Sequence, residues 1–445
     1  MNLDIFQTAV EIVKKLQDNG YSAYIVGGTV RDYLMGKSLR NINPGNDVDI
    51  ATSAKPENIN QLFDKTYNIG AAFGIVNVIK NETAYEVATF REESQYNDGR
   101  HPEKIEYTES PKRDALRRDF TINAIFYDPI KETFQDFVGG KQDIKDGLLR
   151  TIGNPDKRFN EDYLRILRAI RFSTKFGFKI APSTFMAINK FAKKIVYLSK
   201  ERVRDELNKM FTGPSPGKAL QLLSDTGILS VVLPEIEAMR GITQPKAYHP
   251  EGDVFEHTKL MLSKMVTPNT ELAWSILLHD VGKPLTLEFD ENSIERFYCH
   301  AEKGAEIAEN ILKRLKFTNA SISKICFAVK NHMRYACIKE MRTMKLKRLI
   351  AEPTFPIELE LHRLDCLCSN KITDNFIFLL DTVHRQNGET KLPPPLITGK
   401  DLISLGYRPG PEFGNIISQI EEKQIEKVIN TKDEAMAWIA ENFES

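Results

Sequence analysis

The first third of the chain alternates between helical and extended patterns of apolar residues. Near the N-terminus, apolar side chains recur three or four positions apart, which predicts an amphipathic helix ending at Gly20. These side chains are Ile5, Ala9, Ile12, Val13 and Leu16. An apolar run at 23–26 and two alternating runs at 72–79 and 85–90 predict strands, the last two joined by a turn at 81–83. The pattern therefore predicts a small mixed sheet packed with helices.

Beyond residue 150 the apolar periodicity is helical almost throughout. The clearest case is 160–172, where Asn160 stands at the capping position and an apolar stripe follows. Between the two regions, the polar and aperiodic stretch 91–110 predicts a loop. We therefore expect an α+β protein, with a small mixed β-sheet head followed by a mostly α-helical remainder.

The composition is that of an ordinary globular protein, with 41% hydrophobic and 27% charged residues in a chain of 445. No apolar run approaches the roughly 18 residues of a membrane span, and the N-terminus lacks a secretion signal. Five scattered cysteines form neither a disulfide framework nor a zinc-binding pair. We expect a cytoplasmic protein with no membrane or DNA partner. Because the formal net charge is +0, any RNA-binding surface must be a local basic patch.

Two carboxylates one residue apart follow the first predicted strand and helix. Asp47 and Asp49 alternate with apolar residues, so in a strand they project from the same face. Carboxylates this close repel each other unless a cation lies between them, and oxygen ligands suit Mg²⁺. The Gly27-Gly28 turn brings backbone N–H groups to a helix start, where phosphate binds. Together these features predict phosphoryl or nucleotidyl transfer.

The order of these features resembles a known family. Gly-Gly-Thr-Val-Arg-Asp at 27–32, followed by Asp-Val-Asp-Ile-Ala-Thr at 47–52, is similar to the class II tRNA nucleotidyltransferases. That family comprises the CCA-adding enzymes and the bacterial poly(A) polymerases. The polar loop at 38–46 is longer than the family pattern, which we interpret as a surface insertion. Taken singly, a Gly-Gly pair is usually a turn and an Asp-x-Asp a solvated loop, so the inference depends on their succession.

The resemblance implies a nucleotidyltransferase-type head in which Asp47 and Asp49 are catalytic and hold Mg²⁺. It also implies that the triphosphate is positioned by Gly28, Arg31, Arg117 and Arg118. We expect Arg117 and Arg118 at a helix start, where two guanidiniums can bind phosphate oxygens bidentately and Asp119 can orient one of them. The residues that follow, Phe-Thr-Ile-Asn-Ala at 120–124, match the second motif of the family.

Two further features of the head leave alternatives open. Tyr96-x-Asp98-x-Arg100-x-Pro102 resembles the flexible loop of CCA-adding enzymes, but a plain solvated hairpin has the same composition. Glu86, on the second alternating run, is a candidate third carboxylate beside the aspartate pair, and an exposed strand residue is the equal alternative.

Glu161-Asp162-x-x-Arg165 lies at the start of the predicted helix 160–172. Cytosine and adenine both present an amino donor beside a ring-nitrogen acceptor, which a carboxylate and a guanidinium one turn apart can recognise. The family resemblance gives this base-selecting role to Asp162 and Arg165, and further nucleotide contacts to Arg168 and Arg171. The protein would then select CTP and ATP without a nucleic-acid template. A plain amphipathic helix would show the same stripes.

Seven of the eight histidines fall between 249 and 384. Adjacent His279-Asp280, with a histidine upstream and an aspartate downstream, resembles the HD-domain metal phosphohydrolases. The resemblance implies one divalent metal bound by His257, His279, Asp280 and Asp365, with His300 and His332 available for a second. Mixed imidazole and carboxylate ligands suit a divalent transition metal better than structural zinc. Such a site is either an active phosphatase or phosphodiesterase or a scaffold that has lost its activity.

The predicted domains are a catalytic nucleotidyltransferase head at 1–150, a helical neck at 151–245, an HD metal-binding domain at 246–385 and a helical tail at 386–445 that contacts tRNA. The resemblance implies a CCA-adding enzyme, with tRNA, CTP and ATP as substrates and Mg²⁺ as cofactor. Three alternatives keep the chemistry: an A-adding enzyme, a CC-adding enzyme and a poly(A) polymerase. A fourth is an HD-type metal phosphohydrolase whose head only binds RNA.

Overall fold

The computed structural model describes residues 5–37, 48–68, 74–96, 102–245, 249–250, 252–385, 393–425 and 428–443, and their side chains except at 93–96 and 102–105. The chain folds as two compact units. The first comprises Met1–Arg240, Val266–Thr270 and Ile311–Phe317, and the second Gly241–Met265, Glu271–Asn310 and Thr318–Ser445. The predicted α+β class is confirmed, whereas the division into four domains stays a prediction.

The strands of the first unit lie mainly in its N-terminal half. They are β1 (Ala23–Val26), β2 (Asp49–Thr52), β3 (Thr66–Tyr67), β4 (Ile75–Lys80), β5 (Thr83–Thr89), β6 (Arg91–Tyr96), β7 (Pro102–Tyr107), β8 (Ile125–Asp128), β9 (Thr133–Asp136), β10 (Leu148–Leu149) and β11 (Lys179–Ile180). Within the described residues, seven of them form a mixed sheet in the order β3-β4-β5-β2-β1-β8-β9, in which only β2 and β5 pair in parallel. The predicted hairpin is confirmed, because β4 and β5 pair across a turn at Asn81 and Glu82.

The helices of the first unit alternate with strands up to residue 150 and then, over 151–240, where every residue is described, follow one another with only β11 between them. They are α1 (Ile5–Asp18), α2 (Gly28–Leu34), α3 (Pro56–Leu62), α4 (Pro111–Arg117), α5 (Gly140–Lys145), α6 (Pro155–Glu161), α7 (Leu164–Phe176), α8 (Pro182–Phe191), α9 (Lys200–Phe211), α10 (Pro216–Asp225), α11 (Leu229–Val232) and α12 (Pro234–Glu237). On one face of the sheet, α1 packs its predicted apolar stripe onto Ile25, Ile50 and Val87. A second cluster on the other face includes Val26 and Phe126.

The prediction of a loop over 91–110 is wrong for most of that stretch. Strands β6 and β7 pair antiparallel, with Arg91 opposite Tyr107 and Glu93 opposite Ile105. The sequences of the two segments, REESQY and PEKIEY, show no regular apolar alternation, so strands could not be predicted from them. Of the flexible-loop motif, Asp98 and Arg100 lie outside the described residues.

The prediction of one helix over 160–172, capped by Asn160, is also wrong. Helix α6 begins earlier, where the Asn154 side chain accepts a hydrogen bond from the Lys157 N–H, and it ends at Glu161. Asp162 has extended dihedrals, and its Oδ1 accepts the Leu164 N–H at 2.9 Å. This local side-chain hydrogen bond competes with the backbone hydrogen bonds of a continuous helix. The helix is therefore interrupted at Asp162, and α7 starts at Leu164.

The second unit is mostly helical. The elements that lie wholly or mainly in it are α13 (Val254–Lys264), α14 (Thr270–Leu278), α15 (Lys283–Thr286), β12 (Leu287–Phe289), β13 (Glu295–Phe297), α16 (His300–Arg314), α17 (Asn319–Asn331), α18 (Thr343–Ala351), α19 (Phe355–Cys368), α20 (Asp374–Arg385), α21 (Gly399–Ser404), α22 (Pro411–Ile425) and α23 (Lys432–Asn442). The last three have their own apolar core, which includes Leu402, Ile416 and Ile439. Among the described residues, none of the helices is both long enough and apolar enough to cross a lipid bilayer.

Candidate functional site

The carboxylate of Asp49 lies against the backbone of Gly27. Asp49 opens β2 opposite Val26, the last residue of β1, and Gly27 follows at a φ of 74°. A Cβ atom added to Gly27 would lie 2.7 Å from Asp49 Oδ2, so any other residue would force the carboxylate out of this position. Asp47, the other predicted metal ligand, lies outside the described residues. Gly27 was read from the sequence only as part of the turn, and its close approach to Asp49 depends on the pairing of two strands.

Asp49 and Arg118 lie on the same face of the sheet. Asp49 pairs with Val26, and Val26 pairs with Phe126 on the next strand, so the three residues form a row across β2, β1 and β8. The Arg118 guanidinium lies over the Phe126 ring, 5.3 Å from its centroid. Glu86 is exposed and immediately precedes Val87, which pairs with Ile50, so its side chain points to the face that carries Asp49. The structure therefore places the Asp49 carboxylate and the Arg118 guanidinium on the same face of the sheet, along this row of paired residues.

Arg117 and Arg118 lie at the end of a helix, so the prediction that they lie at a helix start is wrong. Proline at position 111 begins α4, Arg117 is its last residue, and Arg118 is its C-cap. The buried Asp114 holds both guanidiniums, at 2.7 Å from Arg117 and 3.0 Å from Arg118. Although burial raises the pKa of the Asp114 carboxyl, the two arginines hold it below its ordinary value, which keeps the anion.

Asp119 orients a different arginine from the one we predicted. Its Oδ2 accepts two N–H bonds from Arg168 on α7, at 2.6 and 2.8 Å, and its Oδ1 accepts from Asn123. Burial opposes ionisation, but Arg168 lowers the pKa of Asp119 to about 2. Asn123 in turn accepts from Arg31 at 2.6 Å, and Arg31 also donates to Asp32. A chain of bonded side chains therefore links α7 to α2, the helix that follows the glycine turn.

Arg31 and Arg171 are also tied to neighbouring groups. The Arg31 guanidinium is buried and lies 4.3 Å from the centroid of the Phe176 ring. Its hydrogen bonds to Asp32 and Asn123 use three of its five N–H groups. Arg171 forms an ion pair with Glu206 on α9 at 2.8 Å. Both arginines are thus held in defined positions beside the sheet.

Asp162 and Arg165 bind different partners. Asp162 Oδ2 pairs with Arg202 on α9 at 2.8 Å, whereas Arg165 donates to Glu161 Oε2 at 2.6 Å. The two side chains therefore do not share one helix face, as the predicted continuous helix required. Glu161 is a residue whose role we did not anticipate, because its two arginine partners become apparent only once α6 and α7 are folded.

The predicted metal ligands of the histidine domain, the name used here for the predicted HD domain at 246–385, form two adjoining groups. The possible ligand atoms in each group lie within 4.8 Å of one another. The first group is His257, His279 and Asp365, and the second is Asp280, His300 and His332. Asp280 thus belongs with the second set, although its Oδ2 also lies 3.1 Å from His279 Nε2. It therefore stands between the two groups.

The protonation of these histidines fits a bound cation. In His279, His300 and His332, Nδ1 lies 2.7–2.8 Å from a backbone carbonyl oxygen, so Nδ1 carries the proton. In the neutral ring Nε2 then carries a lone pair, and the Nε2 atoms of His300 and His332 are 3.2 Å apart. Burial keeps the rings of His300 and His332 neutral, because it lowers the pKa of His300 and brings that of His332 to about 4. Lone pairs converging on buried Asp280, whose Oδ1 makes no hydrogen bond in the described structure, suit a divalent metal.

Two glycines let the helix that starts at His300 reach Asp280. A Cβ on Gly282 would lie 2.2 Å from the His300 carbonyl oxygen and 2.7 Å from the Gly304 nitrogen. The backbones therefore cross at a distance that only glycine allows.

A cavity of about 530 Å³ lies beside these histidines and Asp280, and its lining includes Lys283, Arg296 and Tyr298. The cavity therefore brings the candidate metal ligands next to cationic and aromatic groups of the kind that bind phosphate esters.

Three family models match the chain in succession. The poly A polymerase head domain matches residues 23–150, a probable RNA and SrmB-binding site of polymerase A matches 177–240, and the HD domain matches 254–366.

Relatives align over nearly the whole length. The CCA-adding enzyme of Ligilactobacillus salivarius (strain UCC118) is 33% identical over 437 residues, which cover 97% of this chain and 95% of that protein. The CCA-adding enzyme of Staphylococcus epidermidis (strain ATCC 12228) is 30% identical, with 99% and 98% covered. Among solved structures, the crystal structure of the Bacillus stearothermophilus CCA-adding enzyme in complex with CTP matches with a TM-score of 0.72 and 26% identity. That match covers 98% of this chain and 97% of the other.

Proposed function

This chain belongs to the CCA-adding enzyme family of nucleotidyltransferases, and from that premise we propose how its own residues add C, C and A to tRNA 3′ ends. The substrates are tRNA, CTP and ATP, and the A-adding, CC-adding and poly(A)-polymerase alternatives are not favoured. The family's chemistry uses a divalent metal ion. Since tRNA is a cytoplasmic substrate, the proposal includes a cytoplasmic location.

One observation carries the catalytic assignment: Asp49 lies against the Gly27 backbone, on the sheet face that also holds Arg118. In the proposal, Asp47 and Asp49 hold Mg²⁺, because two adjacent carboxylates supply the oxygen ligands that this ion prefers. When bound, Mg²⁺ would neutralise triphosphate charge and favour ionisation of the tRNA 3′-hydroxyl. Glu86, exposed and directed to the same face, stays a candidate third carboxylate.

The triphosphate is oriented by Gly28, Arg31, Arg117 and Arg118. Asp114 supports the assignment of the last two, since it fixes both guanidiniums at the end of α4, and fixed guanidinium groups bind phosphate oxygens well. The 3′-hydroxyl oxygen then attacks the α-phosphorus, the bond to the β-phosphate bridging oxygen breaks, and pyrophosphate leaves.

Base selection is the role proposed for Asp162 and Arg165, with Arg168 and Arg171 nearby on α7. Glu161 supports this assignment, because it holds Arg165 in one orientation at the junction of α6 and α7. A buried guanidinium held in place loses little entropy when a base arrives. Asp162 is partly exposed, paired through Oδ2 with Arg202, and its carboxylate has further acceptor sites for an amino group.

The test offers three tRNAs to the purified protein with each single nucleotide. The first lacks the whole CCA end, the second ends in its first C, and the third ends in CC. We expect CTP on the first two and ATP on the third. Incorporation of UTP or GTP as readily as CTP would contradict the base-selecting assignment. Asp49→Asn should abolish incorporation, whereas Asp64→Asn, an exposed carboxylate of the same head, should leave it unchanged.

A second function is proposed for the histidine domain, and the facing Nε2 atoms of His300 and His332 carry it. His257, His279 and Asp365 would hold one divalent transition metal, and Asp280, His300 and His332 a second. A metal there would supply a hydroxide for phosphoester hydrolysis.

Metal binding is tested by thermal unfolding. Adding Mn²⁺ or Ni²⁺ should raise Tm, since a ligand that binds only the folded state stabilises it. His279→Ala should remove most of this shift, whereas His384→Ala, an exposed histidine on α20, should not. An equal shift in both variants would indicate adventitious binding and contradict the assignment.

A further inference from the structure

Arg158, on helix α6, is a nearly buried cation to which the proposed function assigns no role. Its side chain is 12% exposed and donates to four acceptors. These are the carbonyl oxygens of Ile152 at 3.3 Å, Leu116 at 2.7 Å and Arg117 at 3.2 Å, and Glu161 Oε2 at 2.8 Å. Such a set of acceptors fixes the orientation of a guanidinium completely.

Two of these acceptors belong to the end of α4. The last carbonyls of a helix have no partner within it and carry partial negative charge, so cations stabilise them. Arg158 binds the carbonyls of Leu116 and Arg117, and Arg165 binds the Arg117 carbonyl as well, at 3.3 Å. The end of α4 is therefore held by two guanidiniums from the segments that surround Asp162.

The other shared acceptor is Glu161. Its Oε2 accepts from both Arg158 and Arg165, and Arg165 also donates to the backbone carbonyl of Arg158. All three side chains are nearly buried, with 11–12% exposed. Two buried like charges this close require the Glu161 carboxylate between them, so displacing one member moves the others.

We propose that Arg158 is a positioning residue that couples the triphosphate-binding arginines to the base-reading arginine. It fixes the end of α4, from which Arg117 and Arg118 project, and it fixes Glu161, which orients Arg165. Phosphate binding and base reading then share one rigid support. This inference rests on the proposed function, since it assigns a support to residues given roles there.

The test is nucleotide specificity in an Arg158→Ala variant. We expect the KM for CTP and for ATP to rise about tenfold, and the preference for CTP over UTP to fall at least as much. Both changes follow from loosening Arg165 and the end of α4 together. Arg158→Lys should recover part of the preference, because an ammonium can bind one or two of the four acceptors.

Chemical rescue adds a readout that a purely structural role would not move. A cavity of about 230 Å³ lies beside Arg158, lined also by Arg117 and Glu161. Guanidinium ion at millimolar concentration should enter the space left in Arg158→Ala and restore the CTP preference, and methylammonium should do so less well. Asn160→Ala, at an exposed site on the same helix and outside the lining of this cavity, is the matched control and should keep the wild-type preference.

The outcomes are separable. If Arg158→Ala lowers only the amount of folded protein, with KM and the CTP preference unchanged, the coupling role is overturned. If Arg158→Ala does not fold, Arg158→Lys decides by the same two quantities. If the wild-type protein itself shows no preference for CTP over UTP, the proposed function fails, independently of Arg158.

Discussion

At the scale of single residues, the position of Asp49, the proposed catalytic carboxylate, depends on the absence of a side chain at Gly27. Gly27 has a φ of 74°, and a Cβ there would lie 2.7 Å from Asp49 Oδ2. The positive φ and the short contact both disfavour replacing Gly27 by another residue, but for different reasons. Backbone strain costs about 1–3 kcal/mol of stability, whereas the contact with Asp49 disturbs the site directly.

Gly27→Ala should therefore lower CTP incorporation by at least about tenfold, because the Asp49 carboxylate must turn away from the added methyl group and leave its position. Gly20→Ala is the matched control: its φ is 84°, yet nothing lies within 4 Å of the added Cβ. Thermal unfolding should show a similar loss of stability in both variants. Equal incorporation by the two would show that the approach to Asp49 has no catalytic consequence.

Glu358 on α19 is a buried carboxyl outside both metal groups. Burial raises its pKa to about 7, although Arg334 lies 2.7 Å away and opposes the shift. The unfolded chain releases this proton near pH 4.5, whereas the folded protein keeps it up to about pH 7. The free energy of unfolding therefore falls as the pH rises through this interval.

Glu358→Gln should remove this pH dependence. Between pH 5 and pH 8, we expect the variant to gain up to about 3 kcal/mol in unfolding free energy relative to the wild type. Denaturant midpoints at the two pH values measure the change. Glu306→Gln, at a 67% exposed site of the same unit, is the control for replacing a carboxylate by an amide. A difference between Glu358→Gln and the wild type that is the same at both pH values would contradict the raised pKa.

At the scale of secondary-structure elements, the sequence predicted the sheet more accurately than it predicted the helix ends. The apolar face of α1 and the hairpin of β4 and β5 follow from patterns that burial imposes directly. The break between α6 and α7 does not, because it depends on one hydrogen bond from Leu164 to Asp162. The partners of Arg168 and Arg165 were equally hidden, since Asp119 and the end of α4 meet them only in the folded chain.

The contact between α7 and α9 contains a buried ion pair, Arg171 with Glu206, whose side chains are 13% and 5% exposed. Removing one partner leaves the other buried and uncompensated. Glu206→Ala should therefore destabilise the first unit by about 3–5 kcal/mol and lower its Tm, measured by calorimetry. Glu201→Ala, at an exposed site on the same helix, should change stability by no more than about 0.5 kcal/mol. A comparable loss in both would mean that the pair contributes nothing specific.

At the scale of the whole molecule, the two sets of proposed metal ligands belong to different compact units. Asp49 belongs to the first unit, and His257, His279 and Asp365 belong to the second. Each set has its own supporting groups, Gly27 for Asp49 and backbone carbonyls for the histidines. Two independent sites predict two activities that can be removed one at a time.

Asp49→Asn should lower CTP and ATP incorporation by more than about a hundredfold, because a metal ligand contributes several kcal/mol to the transition state. The same variant should keep any Mn²⁺- or Ni²⁺-stimulated hydrolysis of bis-(p-nitrophenyl) phosphate. His279→Ala should do the reverse. A phosphohydrolase whose head only binds RNA would instead keep its main activity in Asp49→Asn and lose it in His279→Ala. If His279→Ala also abolished incorporation in protein that remains folded, the two sites would have to act together, which their placement in separate units does not predict.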